Sequence, residues 1–221
     1  MNDTVTIELT LTKARKVNQN GQRIGAKGQR TRQRLVDVTV ELLQTHGLRD
    51  LTVAEVARVA QTSPATFYVY FDGVPDVVLS ALETASQTSP RLLELIDDDW
   101  IGEDGLQRAR EFVDLYCHIW LQNSTVFRVR NLAAEEGDPR FIEARRNAVR
   151  TLIARLTDRI DAARAAARIS PALDGRANAA AILILLERLA SVGPLVDDEG
   201  PGYPLIRAAA ADMVAHAMGA I

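Results

Sequence analysis

Residues 51–71 read LTVAEVARVAQTSPATFYVYF, and the fold is decided by how this stretch is read. Thr52-Val53-Ala54-Glu55 is a capping box: the Thr52 hydroxyl accepts from the Glu55 amide while the Glu55 carboxylate reaches back. That starts a helix over 52–59. Val53, Val56, Ala57 and Ala60 give it a narrow face of small residues, so a second helix can cross it closely. Ala60-Gln61-Thr62 then breaks the pattern. Ser63 is a strong N-cap and Pro64 suits the first helical position, which predicts a second helix over 63–70. Two helices of about two turns each on so short a link form a helix-turn-helix unit.

In such a unit the second helix enters the major groove and its N-terminal residues meet base edges. Here these are Thr62, Ser63, Pro64, Ala65 and Thr66, all short, so the helix can approach the groove floor. A hydroxyl accepts or donates, and the Ala65 methyl can touch a thymine methyl. Phe67 and Phe71, four residues apart, belong to the core. Tyr68 projects elsewhere and is placed to donate its hydroxyl to a phosphate, as is Tyr70; such contacts fix register without reading sequence. Upstream, Leu35, Val38, Thr39, Leu42 and Leu43 make one apolar stripe on a helix over 29–46, closed by Gly47.

The whole chain carries 26 Lys and Arg against 29 Asp and Glu, a formal net charge of −3, which taken alone argues against nucleic acid. Its distribution reverses that inference. Residues 1–71 hold ten cations against six anions, whereas residues 72–221 hold sixteen against twenty-three. Between Leu9 and Val36 lie eight cations and no anion. A surplus confined to one end is expected where that end meets a polyanion. Residues 1–28 lack helical periodicity and read as a flexible basic arm.

Helical patterns continue over about 75–88, 90–97, 104–122, 124–135, 139–168, 174–192 and 203–219, separated by Gly and Pro punctuation such as Ser89-Pro90, Gly137 with Pro139, and Gly193-Pro194. No pair of alternating strands is present; the lone alternating stretch Val5–Leu11 has no partner. The class is therefore all-α. No apolar run approaches the ~18–20 residues that span a bilayer, and the first residues lack an apolar secretory core. A soluble, cytoplasmic protein is expected. The single cysteine, Cys117, sits among apolar neighbours and reads as a buried thiol. No Gly-rich phosphate loop, nucleophile elbow or His-rich metal spacing is present, so neither enzyme, metal nor cofactor is expected.

The pieces Arg34–Leu43, Gly47, Leu51–Ala57 and Thr62–Phe71 together resemble the DNA-binding domain of the TetR family of regulators, over about 45 residues and with matching gaps. The resemblance implies that Thr52, Tyr68 and Tyr70 touch phosphates and that Ser63, Ala65 and Thr66 face bases. It departs at Gln61, where the family usually has Gly, so the turn must avoid positive φ or be strained. It departs again at Asp72-Gly73-Val74-Pro75-Asp76, where the family usually has Lys. Lys27, Arg30 and Arg32, at the end of the arm and the start of the helix after it, are expected to compensate, in the adjacent minor groove. Twenty-three Arg to three Lys suits such an arm and equally a GC-rich genome.

The resemblance further implies an organisation into arm (1–28), helix-turn-helix domain (29–74) and a larger ligand-binding and dimerisation bundle (75–221). Phe112, Tyr116 and Trp120 repeat every fourth residue as an aromatic stripe; with Trp100 and Phe127 they would line an apolar cavity, or simply fill a core. Asn123 and Glu187 are candidates to orient a ligand there. The last two helices, rich in Ala, Ile and Leu, are the expected homodimer surface. The expected function is a repressor that binds a palindromic operator in double-stranded DNA as a homodimer and is released by a small apolar or aromatic effector. A helical DNA-binding protein or constitutive regulator without inducer remains the alternative.

Overall fold

The computed structural model describes residues 24–193 and 202–220. Among them are ten helices and no strand. The arm through Arg23, with the Val5–Leu11 stretch, and the acidic run Asp197–Gly200 lie outside the described residues. The chain divides into two compact units after Glu83.

The first unit contains α1 (Ala26–Leu42), α2 (Val53–Val59), α3 (Pro64–Tyr70) and most of α4 (Val74–Ala85). Leu35, Val38, Val56, Ala57, Phe67, Phe71, Val77 and Val78 are buried in its core. Thr39, fully buried, satisfies its hydroxyl on the Leu35 carbonyl at 2.8 Å. The helix α1 starts three residues earlier than its periodicity predicts, so Lys27 and Gly28 are helical and not part of an arm. Gly28 fits this packing: a Cβ there would stand 2.8 Å from Ile24 Cγ2 and 3.1 Å from Tyr70 Oη. The glycine that suggests flexibility in fact permits close packing.

The helix-turn-helix link is a complete Schellman ending. Gln61 donates its amide to Arg58 O at 3.1 Å and Thr62 to Ala57 O at 2.9 Å. Gln61 occupies the left-handed region with φ 56°, so of the two possibilities the sequence left, strain is the one adopted.

The second unit holds α5 (Pro90–Asp97), α6 (Gly102–Gln122), α7 (Ser124–Glu135), α8 (Pro139–Ala165), α9 (Gly175–Val192) and α10 (Tyr203–Ala217). The helix α6 packs on α5, α7, α9 and α10, and α8 packs on α5, α7 and α9. The α5–α6 corner is clamped. Trp100, fully buried, donates its indole N–H to Leu95 O at 2.8 Å. Arg168 donates to Trp100 O at 3.0 Å and Gly219 O at 3.3 Å, and the Gly102 amide donates to Ala220 O at 2.8 Å. The C-terminal residues are thereby tied to this corner. The run Asp97-Asp98-Asp99 has an arginine for each carboxylate: Arg155 at 3.3 Å, Arg108 at 3.4 Å and Arg159 at 3.1 Å. All three carboxylates are well exposed, so each pair is worth under about 1 kcal/mol.

Candidate nucleic-acid interface and effector site

The helix α3 presents its N-terminus outward because its core side is taken by Phe67 and Phe71, whose rings pack 5.8 Å apart. Ser63, Pro64, Ala65 and Tyr68 are exposed, Tyr68 by 53%, while Thr62, Thr66 and Tyr70 are half-buried. Ser63 caps the helix: its Oγ accepts from the Thr66 amide at 3.1 Å and lies 3.0 Å from Thr66 Oγ1. These two hydroxyls hold each other in place while facing solvent. Thr52, exposed, caps α2 by accepting from the Glu55 amide at 3.2 Å. The hydroxyl of Tyr70 is packed toward Gly28 of α1, unlike that of Tyr68.

The cations divide. Lys27 and Arg30 are exposed. Arg32 turns inward instead: it donates to Ser80 Oγ at 2.6 Å and covers the Phe71 ring at 4.9 Å. That placement ties α1 to α4 and to the end of α3, where the sequence suggested a groove contact. Asp76 is likewise occupied, accepting from the Asp72 amide at 3.2 Å at the start of α4.

In the second unit the predicted aromatic stripe falls in two places. Trp100 meets Phe112 edge-on at 6.1 Å in the clamped corner. Trp120 meets Phe127 at 6.1 Å, eight residues and so about 12 Å further along α6. Asn123 spends its side-chain N–H on Ile119 O at 2.9 Å, at the end of α6. Tyr116 stands between, and Glu187 and Arg130 act on its phenol.

Around this second place lies a polar cluster, buried at Arg130 and open to solvent at Arg145. Arg130, only 4% exposed, covers the Phe127 ring at 4.9 Å, donates to Asn131 Oδ1 at 3.0 Å and is bonded to Glu187 Oε1. Asn131 donates to the same Glu187 oxygen at 3.0 Å, and Arg145 approaches Glu187 Oε2 at 3.8 Å. Burial draws the Arg130 guanidinium down from its ordinary value and the Glu187 carboxylate opposes that; an arginine stays charged nonetheless. Burial pushes the Tyr116 phenol well above its usual value, so it remains a neutral donor. Arg130, Asn131 and Arg145 were missed in the sequence. One signal was there: Val126, Phe127, Arg130 and Ala133 share one helical stripe, and Arg130 is its charged member.

A family model described as "Bacterial regulatory proteins, tetR family" matches residues 35–74, and one described as "Tetracyclin repressor-like, C-terminal domain" matches residues 92–214. The chain belongs to the TetR family. The first match spans the later part of α1 with α2 and α3, and the second spans α5 to α10 apart from their outer ends. It is 32% identical over 92 residues to the HTH-type transcriptional regulator SrpR of Pseudomonas putida, covering 42% of this chain and 40% of SrpR. It is also 32% identical over 92 residues to the regulator TtgW, again from Pseudomonas putida, covering 42% of this chain and 63% of that relative. The matches thus span less than two thirds of either relative. The fold is similar to the fatty acid degradation regulator FadR from Bacillus halodurans, with a TM-score of 0.62 at 15% identity, over 84% of this chain and 94% of that one. TetR-family regulators bind DNA and are typically dimeric. No described helix is long and apolar enough to cross a membrane.

Proposed function

We propose that this TetR-family regulator is a ligand-responsive repressor: a homodimer that docks two copies of α3 in successive major grooves of a palindromic operator and leaves it when a small effector with an apolar body binds the second unit. The observation that carries the reading is the outward N-terminus of α3, with Ser63, Ala65 and Tyr68 exposed above a core of Phe67 and Phe71. Thr62, Ser63, Pro64, Ala65 and Thr66 then face base edges. Thr52 and Tyr68 contact phosphates, as does Tyr70 once its hydroxyl turns from Gly28, and Lys27 and Arg30 add charge along the backbone.

Dimerisation through α9 and α10 fits their outer faces. Ile184 is 68%, Leu205 64% and Met213 61% exposed, with Ala177, Ala181 and Ala209 beside them at helical spacing. The opposite side of α10, with Ala210, Ala211, Val214 and Ala215, is already buried. Two grooves one DNA turn apart require reading helices ~34–36 Å apart, and an effector acts by favouring a dimer in which that spacing is lost. Tyr116, Trp120, Phe127 and Glu187 are its proposed contacts, whereas Trp100 and Phe112 serve the clamped corner and Asn123 the end of α6.

The test is a mobility shift with the DNA upstream of the protein's own gene, repeated against a panel of apolar and aromatic compounds. A specific shift that one compound abolishes is expected. A specific shift that none of the compounds loosens would favour constitutive regulation, and no specific shift would sink the repressor reading.

A further inference from the structure

The effector reading above leaves the chemistry of the ligand open, and the polar cluster narrows it. We infer that the effector is an amphipathic monocarboxylate, whose anionic head binds Arg145 and Arg130 beside Glu187 and whose apolar body lies along Tyr116, Trp120 and Phe127. The inference rests on the proposed effector site and adds the charge of its occupant.

Two guanidiniums, Arg130 and Arg145, converge on one carboxylate, Glu187. The cluster therefore carries one more cation than anion and can accept a second carboxylate. Its uncommitted hydrogen-bonding capacity is mainly, though not wholly, that of donors. Glu187 Oε1 already receives Arg130 and Asn131, and Asn131 Oδ1 already receives Arg130 Nε. What remains is one acceptor, Glu187 Oε2, and a larger set of donors. Arg145 meets Glu187 only at 3.8 Å, and the Trp120 indole N–H is buried without a hydrogen-bond partner among the described residues. The neutral Tyr116 phenol can donate as well as accept. A ligand that completes such a set must accept hydrogen bonds, and a carboxylate does so with both oxygens.

A cationic ligand meets the opposite situation. The rings that would cage it are already occupied by the protein's own guanidiniums: Arg128 at 5.9 Å from the Trp120 centroid and Arg130 at 4.9 Å from that of Phe127. It would add a third like charge beside a single carboxylate. A neutral alcohol could use the donors but would leave the excess charge to solvent at the half-exposed Arg145.

The experiment is isothermal titration calorimetry of the full-length protein with 4-phenylbutyrate, 4-phenylbutan-1-ol and 4-phenylbutylamine, which share one apolar body. The carboxylate should bind about tenfold or more tighter than the alcohol, with the amine weakest. Arg145→Gln, a change at a half-exposed position, should reduce the carboxylate-to-alcohol ratio by about tenfold. Glu187→Gln should raise that ratio, because it removes the competing carboxylate; a merely structural defect would weaken both ligands alike. Should Glu187→Gln fail to fold, the wild type and Arg145→Gln decide the matter. Equal or tighter binding of the alcohol or the amine would overturn the anionic assignment while leaving an effector site in place. Binding by none of the three would overturn it too, and the effector reading is judged separately by release from the operator.

Discussion

Gln61 and Ala167 occupy the same place in two helix endings. Both lie in the left-handed region, at φ 56° and 55°, and both are followed by an amide that reaches back into the helix: Thr62 to Ala57 O and Arg168 to Ala163 O. Two other endings of this kind use glycine, Gly137 and Gly219. A side chain costs roughly 1–2 kcal/mol in this conformation, partly offset by its smaller entropy when unfolded. Gln61→Gly and Ala167→Gly are therefore each expected to stabilise by about 0.5–1 kcal/mol, read from urea unfolding. The cations offer a second residue-scale test. Replacing Lys27 or Arg30 by Gln should weaken binding to every DNA sequence and lower the salt slope by about 0.9 for each phosphate left without its cation. Arg32→Gln should act chiefly on stability, since its guanidinium is engaged by Ser80 and Phe71. An unchanged salt slope in both Lys27→Gln and Arg30→Gln would dismiss them as phosphate-binding groups.

At the scale of elements, most helices follow their punctuation, but α1 ends at Leu42, short of the predicted 46, so Gly47 does not close it. The ranges of α5 and α7 coincide with those predicted, because Ser89-Pro90, Asn123 and Gly137 act over a residue or two and need no distant partner. The start of α1 did not follow either, and the packing of Gly28 there depends on Tyr70, brought to it by the fold. The longest described helix, α8, is capped by Asp138, whose Oδ1 accepts from the Arg140 amide at 3.0 Å. Hydrogen bonds from the Arg140 side chain hold that carboxyl below its ordinary value. A carboxyl lowered in the folded state stabilises above its unfolded pKa, near 4, and this contribution is lost as pH falls through the folded value. Asp138→Ala should thus cost about 1 kcal/mol at pH 7 and clearly less at acid pH, as paired denaturation curves would show. A penalty independent of pH would mean that the charge contributes nothing.

For the molecule as a whole, the outer faces of α9 and α10 are the features that a monomer leaves unexplained. Large apolar side chains exposed singly are ordinary, but Ile184, Leu205 and Met213 lie among exposed alanines on two adjacent helices. Ile184→Glu and Met213→Glu should each shift sedimentation toward the monomer, with loss of operator binding, since one reading helix cannot span two half-sites. A charged variant that remains dimeric would place the interface elsewhere.

The amino-acid sequence by itself determined the all-α class and the helix-turn-helix, and it pointed to α3 as the helix proposed to read DNA. Caps, breaks and apolar periods act within a few residues of one another, so they survive without knowledge of the packing. Tertiary structure alone decided that Arg130 meets Glu187, 57 positions away in the chain, that the aromatic stripe divides between a clamped corner and a polar cluster, and that Arg32 turns from the groove toward Ser80. Each depends on how one helix is rotated against another, a quantity set by many small contacts at once and written in no single stretch of sequence.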